Sequence, residues 1–228
     1  VVPGTITANT FQVSATVNGA AVNTSGSQSG THTGHGTAVT KDSIIADCVS
    51  VTVANRGFYV YGSNNKCKIL NCVIEGNSTT TYGVNVNAAN ASGSANNIEH
   101  LLVSGCTARS CTTNAFVFGD NCFYCTFLGC TVFASGNTGF SIEVANAGVP
   151  QYCSIIGCIV NAATVNGYLL NGSFYCSISD SLAIVCGVGV NISAASSVQY
   201  CTVSNTKVIA ATGNGIDVAG NSVRCDLE

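Results

Sequence analysis

Charge is scarce in this sequence, in which only 7% of the 228 residues are Asp, Glu, Lys or Arg. An average soluble domain carries about 25% charged residues. The seven basic residues form no cluster, and the formal net charge is −3. Because nucleic-acid binding depends on neutralising phosphates with Lys and Arg, this composition argues against a nucleic-acid partner.

Methionine and tryptophan are absent, there are only two prolines, and no long apolar run occurs. A membrane-spanning helix needs about 20 consecutive apolar residues, and Ser, Asn and Gly interrupt every apolar stretch here. We therefore expect no membrane insertion. Disorder is also excluded, because disordered chains combine high charge with low hydrophobicity, whereas 46% of these residues are hydrophobic.

An internal repeat is what the sequence does contain. Its copies are DSIIADCVS from Asp42, KCKILNCVI from Lys66, HLLVSGCTA from His100, YCTFLGCTV from Tyr124, YCSIIGCIV from Tyr152, YCSISDSLA from Tyr175, YCTVSNTKV from Tyr200 and RCDLE from Arg224. Successive copies start 24, 34, 24, 28, 23, 25 and 24 residues apart. The repeat is therefore close to 24 residues long, with two insertions.

A second block recurs within each unit. It is GFYVYG from Gly57, GVNVN from Gly83, NAFVFG from Asn114, GFSIE from Gly139, GYLLNG from Gly167, GVGVN from Gly187 and GIDVAG from Gly215. Apolar and polar residues alternate over four or five positions, which indicates strands rather than helices. One unit cannot bury its own apolar side, but units stacked about 4.8 Å apart can.

These features predict an all-β protein, a right-handed parallel β-helix of about seven coils over residues 41–228. Leucine-rich repeats have a similar length but need a leucine-rich consensus, which is missing here. Residues 1–40 do not follow the repeat, and we expect them to form an N-terminal cap or attachment segment. Within them, Phe11 to Val17 alternate as one strand, and residues 23–37 form a Gly/Ser/Thr-rich loop.

The alignment assigns side chains to columns. The predicted inward columns are Cys67, Leu101, Cys125, Cys153, Cys176, Cys201 and Cys225; Ile69, Val103, Phe127, Ile155, Ile178 and Val203; Cys48, Cys72, Cys106, Cys130 and Cys158; and, in the third strand, Phe58 and Val60, Val84 and Val86, Phe140 and Ile142, Tyr168 and Leu170, and Ile216 and Val218. A bend column contains Asp47, Asn71, Gly105, Gly129, Gly157, Asp180 and Asn205. These residue types tolerate the left-handed backbone that a one-residue corner requires.

The repeat resembles the coils of the pectate-lyase-like superfamily of right-handed β-helices, including viral and phage spike and surface proteins. The resemblance covers about residues 42–228 and involves core and corner positions. It implies the fold, but it says little about function.

The fourteen cysteines leave three interpretations open: buried free thiols, disulfides, or a metal site. Columns of cysteine favour free thiols, because cysteine packs as a small apolar side chain. In-register neighbours would strain a disulfide. A zinc site needs clustered ligand pairs, and Cys122 and Cys125 form an isolated pair. His32 and His35 are expected to be solvated. We therefore predict no metal and no cofactor.

Catalysis by a polysaccharide-cleaving β-helix requires neighbouring carboxylates, or a base close to acids. The alignment places no two acids on adjacent coils. Glu143 and Asp217 share the outer side of the third strand but lie three coils apart, about 14 Å. Arg109 and Lys68 have no acid column beside them. The sequence therefore predicts no catalytic residues and a protein that is not an enzyme.

Aromatic residues form the predicted contact surface. Tyr124, Tyr152, Tyr175 and Tyr200 precede the first cysteine on four coils, and Tyr59, Tyr61, Phe116 and Phe118 are expected to face outward on the third strand. They either stack as a stabilising ladder or contact a partner subunit or a sugar.

The favoured function is a non-catalytic structural protein of a virion or cell surface: a fibre, spike, decoration or appendage subunit. We expect it to be extracellular or on the virion surface, and to form a homo-oligomer or lattice with copies of itself or with other structural proteins. Glycans are a further candidate partner. The alternative is a carbohydrate-binding or carbohydrate-cleaving β-helix of the tailspike type.

Overall fold

The structure is a computed structural model that describes residues 12–14, 21–23, 40–51, 55–76, 80–88, 96–144, 148–193, 197–219, 222–223 and 225–227. The chain divides into two compact units, Val1–Gly30 and Thr31–Glu228. In the first unit, strands Gln12–Ser14 and Ala21–Asn23 pair antiparallel. Gln12–Ser14 lies within the alternating segment where the sequence predicts a strand. His32 and His35 lie outside the described residues.

Three parallel sheets run the length of the second unit. The first contains Ile44–Ala46, Lys68–Leu70, Leu102–Ser104, Thr126–Leu128, Ser154–Ile156, Ser177–Ser179, Thr202–Ser204 and Asp226–Leu227. The second contains Val49–Val51, Val73–Glu75, Thr107–Cys111, Thr131–Ser135, Ile159–Ala163, Leu182–Ile184 and Lys207–Ile209. The third contains Arg56–Tyr61, Tyr82–Asn87, Phe116–Phe118, Thr138–Glu143, Asn166–Asn171, Val188–Ile192 and Ile216–Val218.

Short strands connect the third sheet back to the first. Thr40–Lys41, Asn64–Asn65, Ile98–Glu99 and Cys122–Phe123 form a parallel sheet of four strands. Single parallel bridges through Gln151 and Phe174 continue this alignment to Val198–Gln199, which pairs with Ser222–Val223. The predicted fold class, a parallel β-helix of stacked coils, is confirmed.

Left-handed corners separate the strands of each coil. The whole predicted bend column has positive φ, from 42° at Asn205 to 63° at Gly105. Two further corner columns also have positive φ: Lys66, His100, Tyr124, Tyr152, Tyr175 and Tyr200, and Ser110, Ala134, Ala162, Val185 and Ala210. The tyrosine column therefore lies at corners rather than within strands. The amide of a corner residue donates to the next coil, as from Tyr124 to the carbonyl of Gln151 at 3.1 Å.

The core lies inside the coils and is built from the predicted inward columns, whose central members are at most 7% exposed. Tyr168 is fully buried, and its hydroxyl donates to the carbonyl of Cys158 at 2.6 Å. At the outermost described coils, Cys48, Ile216 and Val218 keep the predicted inward register, since Ile216 and Val218 pair with the buried Val190 and Ile192. These residues are nevertheless exposed, because no further coil in the described part of the chain covers them.

All fourteen cysteines are free thiols, and twelve of them are buried. The cysteine columns are in contact along the solenoid axis. For example, the amides of Cys153 and Cys176 each lie 3.4 Å from the sulfur one coil further on. Burial raises the pKa of Cys72 to about 11 and that of Cys111 to about 12. These thiols are therefore protonated at neutral pH and act as apolar filling.

The third strand of one coil differs from its predicted orientation. Phe116 pairs with Val84 and Phe140, and both Phe116 and Phe118 are fully buried. The expectation that they face outward is wrong, because Ala115, not Asn114, occupies the position of the strand-initial glycine in this coil. A register error of one residue moves a strand's side chains to the opposite face of a sheet.

No helix long and apolar enough to cross a membrane is found in the described ranges.

Candidate functional site

The outer side of the third sheet is unusually polar and shielded from solvent. We call its outward-facing side chains the polar face; they include Arg56, Tyr59, Tyr61, Tyr82, Asn85, Asn87, Asn114, Ser141, Glu143, Asn166, Asn171 and Asn191. Asn85, Asn114, Ser141 and Asn166 are each at most 8% exposed. By contrast, the outward side chains of the first sheet, such as Lys68, Thr126 and Ser154, are part-buried or exposed.

Glu143 lies at the centre of the polar face. Its Oε1 accepts hydrogen bonds from Asn114 Nδ2 at 3.1 Å and from Ser141 Oγ at 3.3 Å. Burial raises the pKa of Glu143, and the Asp120 carboxylate raises it further, while the two hydrogen bonds lower it. The balance favours a carboxyl group that keeps its proton to a higher pH than an exposed glutamate does.

Asp120 follows strand Phe116–Phe118, which pairs with Thr138–Glu143 through Phe118 and Ile142. Extending this register places Asp120 one residue past the position opposite Glu143, on the neighbouring coil. Asp120 is fully buried. The prediction that no two acids occupy adjacent coils is therefore wrong. Aligning Ala115 with the strand-initial glycines would have revealed this pair in the sequence.

Three buried polar atoms lack hydrogen-bond partners in the described part of the chain: Arg56 Nε, Asn114 Oδ1 and Asn171 Oδ1. All three belong to the polar face. Asn171 pairs in register with Glu143, and Asn114 donates to it. Because a buried unsatisfied group costs about 1–3 kcal/mol, such atoms point to a missing binding partner.

Aromatic residues and one cation form one end of the polar face. The Arg56 guanidinium lies 4.3 Å from the ring centroid of Tyr59 and 5.5 Å from that of Tyr82. Tyr59 and Tyr61 have ring centroids 5.5 Å apart. Arg56 was not among the residues singled out from the sequence, where nothing distinguishes it from the other six basic residues.

Arg109, a charged residue considered in the sequence analysis, lies on the second sheet and not on the polar face. Arg109 pairs in register with Glu75, and its Nε lies 3.2 Å from Glu75 Oε1. The sequence places no column of acids beside Arg109, and the structure places a single acid, Glu75, next to it. This ion pair is partly exposed on the outer side of the second sheet, where Arg109 also covers the ring of Phe133 at 4.6 Å.

The tyrosine corner column forms a continuous exposed stack. Tyr124, Tyr152, Tyr175 and Tyr200 are 39–51% exposed, and neighbouring ring centroids are 4.9–5.0 Å apart with interplanar angles of 5–7°. His100 extends the stack beyond Tyr124 at 5.2 Å. The inner rings cover one another, so they offer edges and hydroxyl groups, not faces, to a partner. The predicted role as a contact surface stays a prediction.

Outside the polar face, the structure offers one open groove. It has a volume of about 430 Å³, follows the third corner and is lined by small residues, among them Ser110, Ala134, Ser135 and Ala162. It contains none of the unsatisfied atoms. Within the described residues, no three His, Cys, Asp or Glu side chains are grouped to hold a metal ion.

Comparison with known proteins identifies the fold alone. No protein-family model matches the chain, and no curated protein is similar to it. Among solved structures, the chain is similar to the catalytic unit of a thermostable GH87 α-1,3-glucanase from Streptomyces thermodiastaticus, with a TM-score of 0.55 and 8% identity. The match covers 82% of this chain and 43% of that structure, so the chain spans less than half of its length.

This comparison corrects one inference from the sequence. The expectation that the protein is not an enzyme is overturned, because the same fold forms the catalytic unit of a glucanase. The sequence argument against catalysis also depended on separated acids, whereas Asp120 and Glu143 lie on neighbouring coils.

Proposed function

We propose that this protein is a carbohydrate-active β-helix protein that binds a glycan chain along the polar face. The observation that carries the proposal is the pair of buried, unpartnered amide oxygens on either side of Glu143, Asn114 Oδ1 and Asn171 Oδ1. A glycan hydroxyl can donate to each of them and also accept from a neighbouring amide group. Convergent polar groups of this kind are typical of sites for small polar ligands.

The dimensions of the polar face suit an extended ligand. Asn85 and Asn171 lie three coils apart, which corresponds to about 14 Å along the axis. Tyr59 and Tyr82 at one end offer aromatic surface, which commonly packs against the apolar side of a sugar ring. A linear glycan lying parallel to the solenoid axis would contact successive coils in turn.

Replacing Asn171 with alanine tests the binding proposal. We expect Asn171→Ala to weaken glycan binding about three- to tenfold, because one hydrogen bond contributes about 0.5–1.5 kcal/mol. Isothermal titration calorimetry against soluble oligosaccharides, including α-1,3-glucan fragments, measures the change. The matched control is Asn161→Ala, on the outer side of the second sheet. Equal loss of affinity in both variants, or no affinity of the wild type for any glycan, would refute the proposal.

A second candidate function is cleavage of the bound glycan, favoured by the raised pKa of Glu143 and the proximity of Asp120. A protonated carboxyl group can donate its proton to a glycosidic oxygen as the C–O bond breaks. Water then supplies the hydroxyl of the new sugar end, and the proton that water releases returns to the Glu143 carboxylate. Asp120 is fully buried and cannot reach the glycan, but its negative charge raises the pKa of Glu143 and so helps to keep the proton there. We therefore treat Asp120 as a positioning residue.

For cleavage, we expect Glu143→Gln to reduce the release of reducing ends by at least about 100-fold, within the range of acid catalysis. Activity should decline as pH rises through the raised pKa of Glu143, and Asp120→Asn should move this decline to lower pH. Glu75→Gln, on the second sheet, is the control. Retained activity in Glu143→Gln would exclude this residue as the acid. If the wild type binds glycans but does not cleave them, cleavage is excluded and the binding proposal still stands.

Location and assembly are further proposals. We infer an extracellular or virion-surface protein that self-associates, since few charges are present to oppose association. Exposed apolar side chains on the outer side of the second sheet, such as Ile159 and Ile209, also support association.

A further inference from the structure

The exposed tyrosines of this protein lie in a single row. All eight tyrosines are among the described residues, and four of them are exposed. These four form the tyrosine corner column, which we call the tyrosine stack: Tyr124, Tyr152, Tyr175 and Tyr200. Tyr168 is fully buried, and the other three are partly buried on the polar face, namely Tyr59, Tyr61 and Tyr82.

Neighbouring rings of the tyrosine stack are held close together and parallel. Their centroids are 4.9–5.0 Å apart, with interplanar angles of 5–7°. The backbone fixes this register on both sides of the stack. Gln151 and Ser154, which flank Tyr152, both pair in parallel with the next coil, and the Tyr152 amide donates to the carbonyl of Phe174 at 3.1 Å. Adjacent phenols are therefore positioned to react with each other.

Tyrosine is a strained choice at these corners. The four residues have φ between 54° and 56°, and a bulky side chain is disfavoured in this left-handed region. The bend column, which has the same backbone conformation, contains only Gly, Asp and Asn. Strained residues of this kind often mark functional positions, so the phenol rings themselves are the feature to explain.

Few other side chains compete with the tyrosine stack for an oxidant. Methionine and cysteine are readily oxidised, but methionine is absent, as is tryptophan, and twelve of the fourteen cysteines are buried. The exposed thiol of Cys48 lies three coils from Tyr124, about 14 Å along the axis. A one-electron oxidant at this surface therefore meets mainly phenols.

We infer that the tyrosine stack is a site of oxidative cross-linking, in which phenols of neighbouring coils couple into dityrosine. Oxidation removes one electron and one proton from each phenol, and the two tyrosyl radicals join through the ring carbons ortho to their hydroxyl groups (Cε). Each of these carbons passes its hydrogen to the oxygen of its own ring, which restores both phenols. With a peroxidase and hydrogen peroxide as the oxidant, the two electrons and two protons convert one peroxide into two waters.

Such bonds would tie successive coils together covalently. Cross-links between neighbours in the tyrosine stack close segments of 28, 23 and 25 residues. A covalent bond of this kind restricts the unfolded chain and so stabilises the folded one. All fourteen cysteines are free thiols, so no disulfide supplies this restraint. The inference is independent of the proposed glycan binding.

The experiment oxidises the intact protein with a haem peroxidase and hydrogen peroxide and, in parallel, with a photoexcited ruthenium complex and persulfate. Monomeric protein is recovered from a reducing gel, which removes disulfide-linked species. Dityrosine fluorescence and mass spectrometry of peptic peptides then locate the bonds. We expect links within one chain between neighbours in the tyrosine stack, and a melting temperature raised by about 5 °C or more.

The double variant Tyr152→Phe, Tyr175→Phe is the decisive comparison. It keeps four stacked rings but leaves no two neighbouring phenols in the row, so it should lose the intrachain links and the rise in melting temperature. Tyr59→Phe combined with Tyr61→Phe is the matched control and should retain both. Equal melting temperatures before oxidation show that the variants are folded.

Three results would overturn the inference: no dityrosine in the oxidised wild type, links that join only separate chains or only Tyr59 and Tyr61, or undiminished intrachain links in the double variant. The tyrosine stack would then be a stabilising ladder alone. An unchanged melting temperature in a cross-linked wild type would overturn the stabilising effect of the bonds.

Discussion

Phe127→Ala is expected to lower the free energy of unfolding by about 3–5 kcal/mol, the range for truncating a buried phenylalanine. Phe127 is fully buried in the first sheet and contacts three rings of the third sheet. The ring centroids of Phe118, Phe116 and Phe140 lie 3.7, 5.6 and 5.6 Å from its own. Because these three rings lie on two paired strands that cannot collapse into the space, most of the cavity should remain.

Phe133→Ala is the matched control for this prediction. Phe133 lies on the following strand of the same coil, but it faces outward on the second sheet and is 36% exposed. Its truncation should cost less than about 1 kcal/mol, mainly through loss of the contact with Arg109. Urea denaturation followed by circular dichroism gives both values. Similar losses for the two variants would contradict the inward assignment of Phe127.

Gly139→Ala is expected to destabilise the protein by about 1–3 kcal/mol through overpacking. A Cβ at this position would lie 2.5 Å from Val160 Cγ2 and 2.7 Å from the carbonyl oxygen of Gly167. The first of these contacts is with a side chain and the second with a backbone atom of the paired strand. Relief therefore requires the third sheet to move away from the second.

A double variant tests this explanation. Gly139→Ala combined with Val160→Ala should be less destabilised than the sum of the two single changes, since truncating Val160 removes the side-chain clash. Ala115→Gly, in the same column, should cost no more than about 1 kcal/mol, as expected for added backbone freedom. Strict additivity in thermal unfolding would show that the clash is relieved in another way.

The cysteine and corner columns could be predicted because every coil repeats them with nearly constant spacing. The bend column from Asp47 to Asn205 has the left-handed backbone expected of it, and the cysteines from Cys67 to Cys201 that were assigned inward are buried. In these columns, each residue follows its corner at a fixed distance. An insertion elsewhere in the coil does not change their register.

The third strand was harder to place, because insertions of up to ten residues precede or follow it in different coils. In the coil of Phe116, alanine replaces the glycine that marks the strand's start elsewhere, and the one-residue error reversed the predicted orientation of Phe116 and Phe118. The same error separated Asp120 from Glu143. Burial at this sheet could not be predicted either, because period-2 alternation shows which side chains face outward but not whether that side is shielded.

The sequence by itself determined that this chain stacks in parallel coils with a core of small thiols and aliphatic side chains. Its short-range pattern is sufficient for that, since each coil repeats the same inward and corner positions. Only the tertiary structure brought Asn114, Glu143, Asp120 and Asn171 together, and left Arg56 Nε without an acceptor among the described residues. These groups come from different coils, and their proximity depends on pairing between strands more than twenty residues apart, which no local pattern encodes.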